Sequence, residues 1–190
     1  MAADAVTGGR SADETIRALY NLAAGVEQIA RANGAGPTPQ DPNEIVRYDP
    51  ASLNKVQNDL MHGKGLYVVR VVVAQNSQKG EPLTIAFVDF PDQVLFRRGE
   101  VVASIDYEPG DDAQTIVLTM LTRMQNMLVD KGILTRMGGA PAGKSVQGPN
   151  FLSVITELQA VKSKVTVQVI AKEPITRVAG LGEIDLQVTG

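Results

Sequence analysis

The chain has 190 residues, of which 44% are apolar and 21% charged, a composition typical of a globular protein that can bury its own core. Its formal net charge of -3 offers no electrostatic footprint for nucleic acid or for an anionic membrane surface, so neither partner is expected. Cysteine is absent, which excludes disulfides, thiolate metal sites and cysteine nucleophiles.

No apolar stretch approaches the roughly 18 residues that span a bilayer. Residues 1–10 are small and polar, and they carry neither the basic n-region nor the apolar h-region of a secretory signal. We therefore expect a soluble protein made in the cytoplasm. Because residues 1–10 also show no hydrophobic periodicity, they are expected to form no regular structure on their own.

The first predicted helix begins at Ser11. Residues 11–14 have the capping-box pattern, in which the serine hydroxyl and the glutamate carboxylate satisfy the first free N–H groups of a helix. Apolar residues then recur three and four positions apart until Asn33 and Gly34, where glycine suits the left-handed backbone that ends a helix. This stripe either packs on the protein's own sheet or contacts another subunit. The residues predicted for the second case are Ile16, Leu19, Tyr20, Val26 and Ile29.

The segment after this helix is rich in proline and glycine, so it can form neither a helix nor a central strand. The sequence therefore predicts an N-terminal helical arm (1–34), a Pro-rich linker (35–48) and an α+β body (49–190). The body opens with Asp49 and Pro50, which suit the N-cap and first position of a helix, and glycine ends that short helix after residue 62.

The longest β-branched run in the chain, LYVVRVVVA at residues 66–74, predicts the central strand of a sheet. After a turn at residues 76–80, a second strand is predicted to end at Phe90. Arg70 stands alone in the middle of the first strand. It is expected either to lie exposed on one face of the sheet or to pair with Asp89 on the second strand.

Two shorter strands are predicted at residues 93–96 and 101–107, joined as a hairpin by the turn of residues 97–100. With the two strands before them they predict an antiparallel meander of about four strands. Phosphate binding by Arg97 and Arg98 at the hairpin tip is disfavoured in an acidic chain, so their charge is expected either to be solvated or to pair with a neighbouring subunit, and both are interface candidates.

A second amphipathic helix is predicted from Asp111 or Asp112 to Gly132, with methionine at helical spacing on its apolar side. The acidic residues around its start are Asp106, Glu108, Asp111 and Asp112. Oxygen-rich turns can hold Ca²⁺ or Mg²⁺, but the spacing here differs from the EF-hand loop. A turn followed by a helix N-cap explains all the acids, so no metal is expected.

Residues 138–145, GGAPAGKS, match the G-x-x-x-x-G-K-[ST] phosphate-binding pattern. The residues that carry the match are Gly138, Gly143, Lys144 and Ser145. A phosphate-binding loop must open a helix, whereas Gly148 and Pro149 follow at once and prevent one. We therefore expect no cofactor, and nucleotide binding through residues 138–145 stays an alternative.

The chain offers little for acid–base or nucleophilic catalysis. Its only histidine, His62, lies at a predicted helix end, and no G-x-S-x-G motif supplies a nucleophilic serine. No catalytic residue is assigned, and a non-enzymatic function is expected.

The C-terminal part is predicted to be rich in β-structure. Residues 165–171 and 183–188 alternate between apolar and polar side chains, as strands do. Residues 151–161 fit both a helix and a strand, and the strand is favoured because it could pair with residues 165–171.

These patterns predict an α+β fold: a mainly antiparallel β-sheet with two amphipathic helices, an N-terminal helical arm and a β-rich C-terminal part. The predicted function is that of a non-enzymatic structural protein that assembles with copies of itself or with neighbouring subunits. A phage virion component (capsid-associated, neck or tail) is one concrete form of that prediction. The alternatives are a small protein-binding adaptor that uses the methionine-rich helix or a sheet edge, and the nucleotide-binding protein described above.

Overall fold

The computed structural model of this protein describes residues 2–37, 40–75, 77–135, 141–142 and 150–190. Its helices within that part of the chain are α1 (Ala12–Ala32), α2 (Pro50–His62), α3 (Ala113–Asp130) and α4 (Asn150–Ala160). Its strands are β1 (Ala2–Thr7), β2 (Val46–Tyr48), β3 (Leu66–Gln75), β4 (Leu83–Pro91), β5 (Val94–Phe96), β6 (Val101–Tyr107), β7 (Val165–Ala171), β8 (Ile175–Thr176) and β9 (Ile184–Thr189). The sheets are mostly antiparallel, so the predicted α+β class is confirmed. No helix in these residues is both long enough and apolar enough to cross a membrane.

The chain divides into two compact units, each with its own hydrophobic core. The first unit comprises Met1–Asp92 and Leu134–Ala140, and the second comprises Gln93–Ile133 and Pro141–Gly190. This division differs from the predicted arm, linker and body. The helix α1 and the segment after it pack within the first unit, and the predicted body is shared between both units.

The first unit is built on a four-stranded sheet with the strand order β1-β3-β4-β2. The strand β3 lies inside this sheet, as its β-branched run predicts, and it pairs antiparallel with β4 across the predicted turn. On its other side β3 pairs antiparallel with β1, from Ala2 opposite Val71 to Thr7 opposite Leu66. Residues 2–7, for which the sequence predicts no regular structure on their own, therefore form a strand because β3 supplies the backbone partners that a short strand lacks alone.

The helix α1 packs against β1, β3 and α2. The capping box predicted at its start is confirmed, because Ser11 and Glu14 each accept the backbone N–H of the other through their side chains. Leu19, Ala23 and Val26 on its apolar side are buried in the core of the first unit. Of the two predicted uses of this apolar stripe, packing on the protein's own sheet is the one observed.

The helix α2 covers the part of the β4 edge that β2 leaves open. The predicted N-cap is confirmed, because the Asp49 carboxylate accepts a hydrogen bond from the Ser52 N–H (2.8 Å). The Ser52 hydroxyl oxygen accepts the Phe87 N–H of β4 (3.1 Å), and Lys55 pairs with the nearly buried carboxylate of Asp89 (3.1 Å). Side chains of one helix thus close a strand edge that a short β2 leaves unpaired.

The segment after α1 is bound to the turn between β3 and β4. The Gly36 N–H donates to the Glu81 carbonyl (3.0 Å), and the Gly80 N–H donates to the Gly34 carbonyl (2.8 Å). Gly36 is buried, and a side-chain carbon on it would lie 2.0 Å from the Gly80 carbonyl oxygen. Only glycine fits where two backbones approach this closely.

Replacing Thr15 of α1 with valine is expected to stabilise the protein. The side chain is fully buried, and its hydroxyl has no hydrogen-bond partner among the described residues. Valine keeps the shape of the threonine side chain and removes the desolvated hydroxyl. The free energy of unfolding, measured by urea unfolding, should therefore rise by about 1 kcal/mol. Thr15→Ser keeps the hydroxyl and loses the methyl group, so it should lower that free energy by about 1 kcal/mol. A Thr15→Val protein less stable than the wild type would contradict this account.

The second unit contains the three-stranded antiparallel sheet β6-β7-β9 and the short antiparallel pair β5-β8. The helices α3 and α4 pack with the larger sheet around the second core. Residues 97–100 form the predicted turn, but the strands on either side of it do not pair with each other. The predicted hairpin of residues 93–96 and 101–107 is therefore wrong, and so is the meander beyond the β3–β4 hairpin.

Residues 150–160 form the helix α4, so the strand favoured for residues 151–161 is wrong. Val154 and Leu158 are buried in the second core, four positions apart on one side of the helix. The strand alternative fails because β7, its predicted partner, already pairs with β6 on one side and β9 on the other.

Arg70 is buried in β3, so the prediction that it lies exposed on a sheet face is wrong. Its guanidinium carbon lies 5.3 Å from the centre of the Phe90 ring, which is a cation–π distance. Arg70 stands opposite Val88, and Asp89 stands opposite Val69. Since successive side chains leave opposite faces of a strand, Arg70 and Asp89 lie on different faces of the sheet, which disfavours their predicted pairing.

Candidate functional site

Three aromatic rings form a continuous contact between α1 and the sheet of the first unit. Tyr20 of α1 meets Tyr48 of β2 edge-on, with ring centres 5.6 Å apart and ring planes at 72°. Tyr48 stacks on Phe87 of β4, with centres 6.2 Å apart and planes at 16°. Phe87 is buried, Tyr48 is half-buried and Tyr20 is 47% exposed, so the contact runs from the core to the surface. We call Tyr20 and Tyr48 together the Tyr20 surface.

Charged side chains border the Tyr20 surface. Burial raises the pKa of the Tyr48 hydroxyl, and the neighbouring Tyr20, Glu27 and Glu44 raise it further. Glu27 also forms an ion pair with Arg31, one helical turn along α1 (2.8 Å). Tyr48 is therefore a neutral phenol at physiological pH. An aromatic centre with a charged border is common anatomy for a protein-binding patch.

The structure makes only part of the predicted contact stripe in α1 accessible. Leu19 and Val26 are buried in the core of the first unit, so they are not available to another subunit. Ile16 and Ile29 are half-buried. Tyr20 is the exposed member of the predicted set, because α1 uses the rest of its apolar side within its own unit.

The other predicted contact residues, Arg97 and Arg98, lie in the second unit. The Arg97 N–H donates to the Glu100 carboxylate (2.8 Å), which closes the turn between β5 and β6. Arg98 lines a shallow cleft of about 190 Å³ together with Lys172 and Asp185. The predicted contact residues of α1 and of the turn therefore belong to different units.

Two of the four acidic residues near α3, Asp111 and Asp112, serve the turn and the helix cap. The Asp106 carboxylate pairs with Lys164 (2.7 Å), which lowers the pKa of Asp106. The Asp111 carboxylate accepts the Glu108 N–H (3.0 Å). Asp112, one of the two predicted candidates, is the N-cap of α3, and its hydrogen bond from the Thr115 hydroxyl lowers its pKa. In the described ranges no three acidic or histidine side chains converge in a way that could hold a metal ion.

No protein-family model, curated protein or solved structure matches this chain. His62 ends α2 as predicted, with its Nδ1 2.9 Å from the Asn58 carbonyl oxygen. The residues of the phosphate-binding match, Gly138, Gly143, Lys144 and Ser145, lie outside the described residues, so that alternative stays a prediction.

Tyr48 is the part of the candidate site that the sequence did not predict. It lies between the Pro-rich segment and the Asp49 cap, where the short run Val46–Tyr48 has too few residues for a periodic signal. The run becomes a strand because it pairs in parallel with β4, with Tyr48 opposite Ile85. In that strand the valine and the tyrosine lie on one face, but three residues are too few for this alternation to predict a strand from the sequence.

Proposed function

We propose that this protein is a non-enzymatic assembly protein that binds copies of itself or neighbouring subunits through the Tyr20 surface. The observation that carries the proposal is an exposed tyrosine ring held in place by a second aromatic ring. A tyrosine held in this way offers a large apolar contact area and loses little side-chain entropy on binding. Tyrosine is accordingly enriched among the residues that dominate binding energy at interfaces.

Tyr20 differs from the other large apolar side chains at the surface. Single exposed apolar residues, such as Leu152 at 74% exposure, are normal and need no function. Tyr20 has three further properties: an edge-on aromatic support, a charged border, and a position on a helix that is fixed to its own sheet. Together these support a preformed contact rather than a flexible arm.

An adaptor that uses the methionine-rich helix has less support. Met120 and Met124 of α3 are buried in the second core, so an adaptor could not use them as a methionine-rich groove. The virion component (capsid-associated, neck or tail) stays a concrete form of the assembly proposal. A virion component would assemble through the same Tyr20 surface, with the virion as the particle that it helps to build.

Tyr20→Ala is expected to weaken self-association. Light scattering with mass measurement over a dilution series should show an oligomer for the wild type and a mass near that of one chain for Tyr20→Ala. Truncation of a central tyrosine typically costs about 2 kcal/mol or more, which is roughly a thirtyfold weaker association. A wild-type protein that stays a strict monomer at high concentration would contradict the homotypic form of the proposal.

Leu118→Ala on α3 is the matched control. Leu118 is exposed to the same extent as Tyr20, at 47%, but it lies in the second unit and is not itself aromatic. Its truncation should leave the association unchanged. Circular dichroism of both variants would show whether folding is intact. Equal weakening by Tyr20→Ala and Leu118→Ala would argue for nonspecific adhesion of apolar side chains.

A further inference from the structure

A polar cleft of about 350 Å³ lies within the first unit, near the end of β3 and the start of β4. Its volume falls at the lower end of the range for small-molecule sites. The residues that line it are Gln40, Arg47, Gln75, Ser77, Glu81, Pro82 and Thr84. Arg47 follows Val46 and precedes Tyr48, so its side chain leaves the opposite face of β2 from that of Tyr48. The cleft is therefore separate from the Tyr20 surface.

One row of side chains across three strands forms the floor of the cleft. Arg47 of β2 stands opposite Thr84 of β4, and Thr84 stands opposite Gln75 of β3. The last pairing exists only because the register of β3 shifts by one residue between Val73 and Gln75. Without this bulge Ala74 would stand opposite Thr84, and the row would lose the side-chain amide of Gln75. A bulge that redirects one side chain in this way is a recurrent feature of strands next to functional sites.

Arg47 keeps hydrogen-bonding capacity for a ligand. One of its Nη2 hydrogens is donated to the Gln40 side-chain oxygen (2.9 Å), and its Nε lies 3.9 Å from the Glu44 carboxylate, beyond hydrogen-bonding distance. A guanidinium has five N–H donors in a planar fork that matches a carboxylate. The Nη1 donors have no acceptor among the described residues. With 42% of the side chain exposed, they are accessible to a small molecule.

The charges that line the cleft have opposite signs. Arg47 supplies the positive charge and Glu81 the negative one, and the remaining polar residues are neutral. One Glu81 carboxylate oxygen accepts the Gln78 N–H (2.9 Å), and a carboxylate can accept further hydrogen bonds. A simple anion such as phosphate would meet the repulsion of Glu81, whereas a ligand with both charges would satisfy the two side chains.

We propose that this cleft binds a small zwitterion of the α-amino-acid class. Arg47 holds the ligand carboxylate, Glu81 holds its ammonium group, and Gln75 and Thr84 donate or accept neutral hydrogen bonds along the floor. The site needs no partner chain, and it is independent of assembly through the Tyr20 surface.

Nuclear magnetic resonance titration tests the proposal directly. The full chain, labelled with ¹⁵N, is titrated with each of the standard L-α-amino acids, with their N-acetyl derivatives, with their amides, and with inorganic phosphate. At least one free amino acid should shift the amide signals of Gln75, Ser77 and Thr84. Its N-acetyl derivative lacks the ammonium group and its amide lacks the carboxylate, so each loses one charge-assisted contact. Phosphate is repelled by Glu81, and all three controls should therefore bind roughly tenfold more weakly or worse.

The variants Arg47→Gln and Glu81→Gln should each weaken binding of the free amino acid by roughly tenfold or more, since each replaces a charged group with a neutral amide. Arg97→Gln, a substitution at an exposed arginine of the second unit, should leave the affinity unchanged. The proposal is overturned if no amino acid shifts the floor residues. It is equally overturned if the N-acetyl derivative, the amide or phosphate binds as well as the zwitterion, or if both cleft variants bind normally.

Discussion

Gly36→Ala is expected to lower the free energy of unfolding of the first unit by roughly 3 kcal/mol. The new side-chain carbon would lie 2.0 Å from the Gly80 carbonyl oxygen and 2.5 Å from its carbonyl carbon. Both are backbone atoms, which cannot rotate away as a flexible side chain would. The two segments must separate, and the hydrogen bonds that join them, from Gly36 to Glu81 and from Gly80 to Gly34, are then weakened or lost.

Urea unfolding followed by tyrosine fluorescence measures this loss, because three of the four tyrosines lie in the first unit. Gly25→Ala is the matched control. Gly25 lies inside α1, and a side-chain carbon on it would meet nothing within 4 Å. Alanine is the better helix former, so this variant should gain about 0.5 to 1 kcal/mol. If Gly36→Ala proved as stable as the wild type, the segment after α1 would not be bound to the β3–β4 turn.

Features that depend on neighbouring residues in the sequence could be predicted. The capping box at Ser11 and the N-caps Asp49 and Asp112 each need only a side chain and an N–H two or three positions away. The β3–β4 hairpin is also local, since a short turn joins its strands. In all these cases the partner lies within the same short stretch, so the sequence contains the whole interaction.

Pairing between distant segments could not be predicted. The strand β1 forms because β3 offers a free edge 59 to 69 positions away, from Thr7 opposite Leu66 to Ala2 opposite Val71. The strand β5 pairs with β8 and not with the strand that follows it, although the turn of residues 97–100 permits a hairpin. A two-fold alternation shows that a segment suits an extended backbone, but it carries no information about its partner.

In the candidate site, too, local features could be predicted from the sequence and contacts between distant segments could not. Tyr20 could be found from helical spacing, because the apolar stripe of α1 is visible in the sequence. Tyr48, its aromatic support, could not, because the contact joins α1 to a three-residue strand. The row of Arg47, Thr84 and Gln75 could not be found either. It depends on a one-residue bulge that the sequence of β3 does not predict.

Leu19→Ala is expected to lower the free energy of unfolding by about 3 kcal/mol, the usual cost of emptying a fully buried leucine site. Leu19 is fully buried in the core of the first unit, whereas its neighbour Tyr20 is 47% exposed. Urea unfolding measures the loss. Leu152→Ala on α4 makes the same substitution at a side chain that is 74% exposed, and it should change stability by no more than about 0.5 kcal/mol.

This substitution separates two roles of α1 that the sequence left open. If α1 were an arm whose apolar stripe contacts another subunit, Leu19→Ala would weaken association and leave the unfolding of the separate chain unchanged. Because α1 packs on its own sheet, we expect the reverse: Leu19→Ala lowers stability even at dilutions where only single chains remain, and Tyr20→Ala lowers association with little effect on stability. If a Leu19→Ala chain were as stable as the wild type under those conditions, α1 would not be packed on its own sheet. The Tyr20 surface would then lack the fixed helix that it requires.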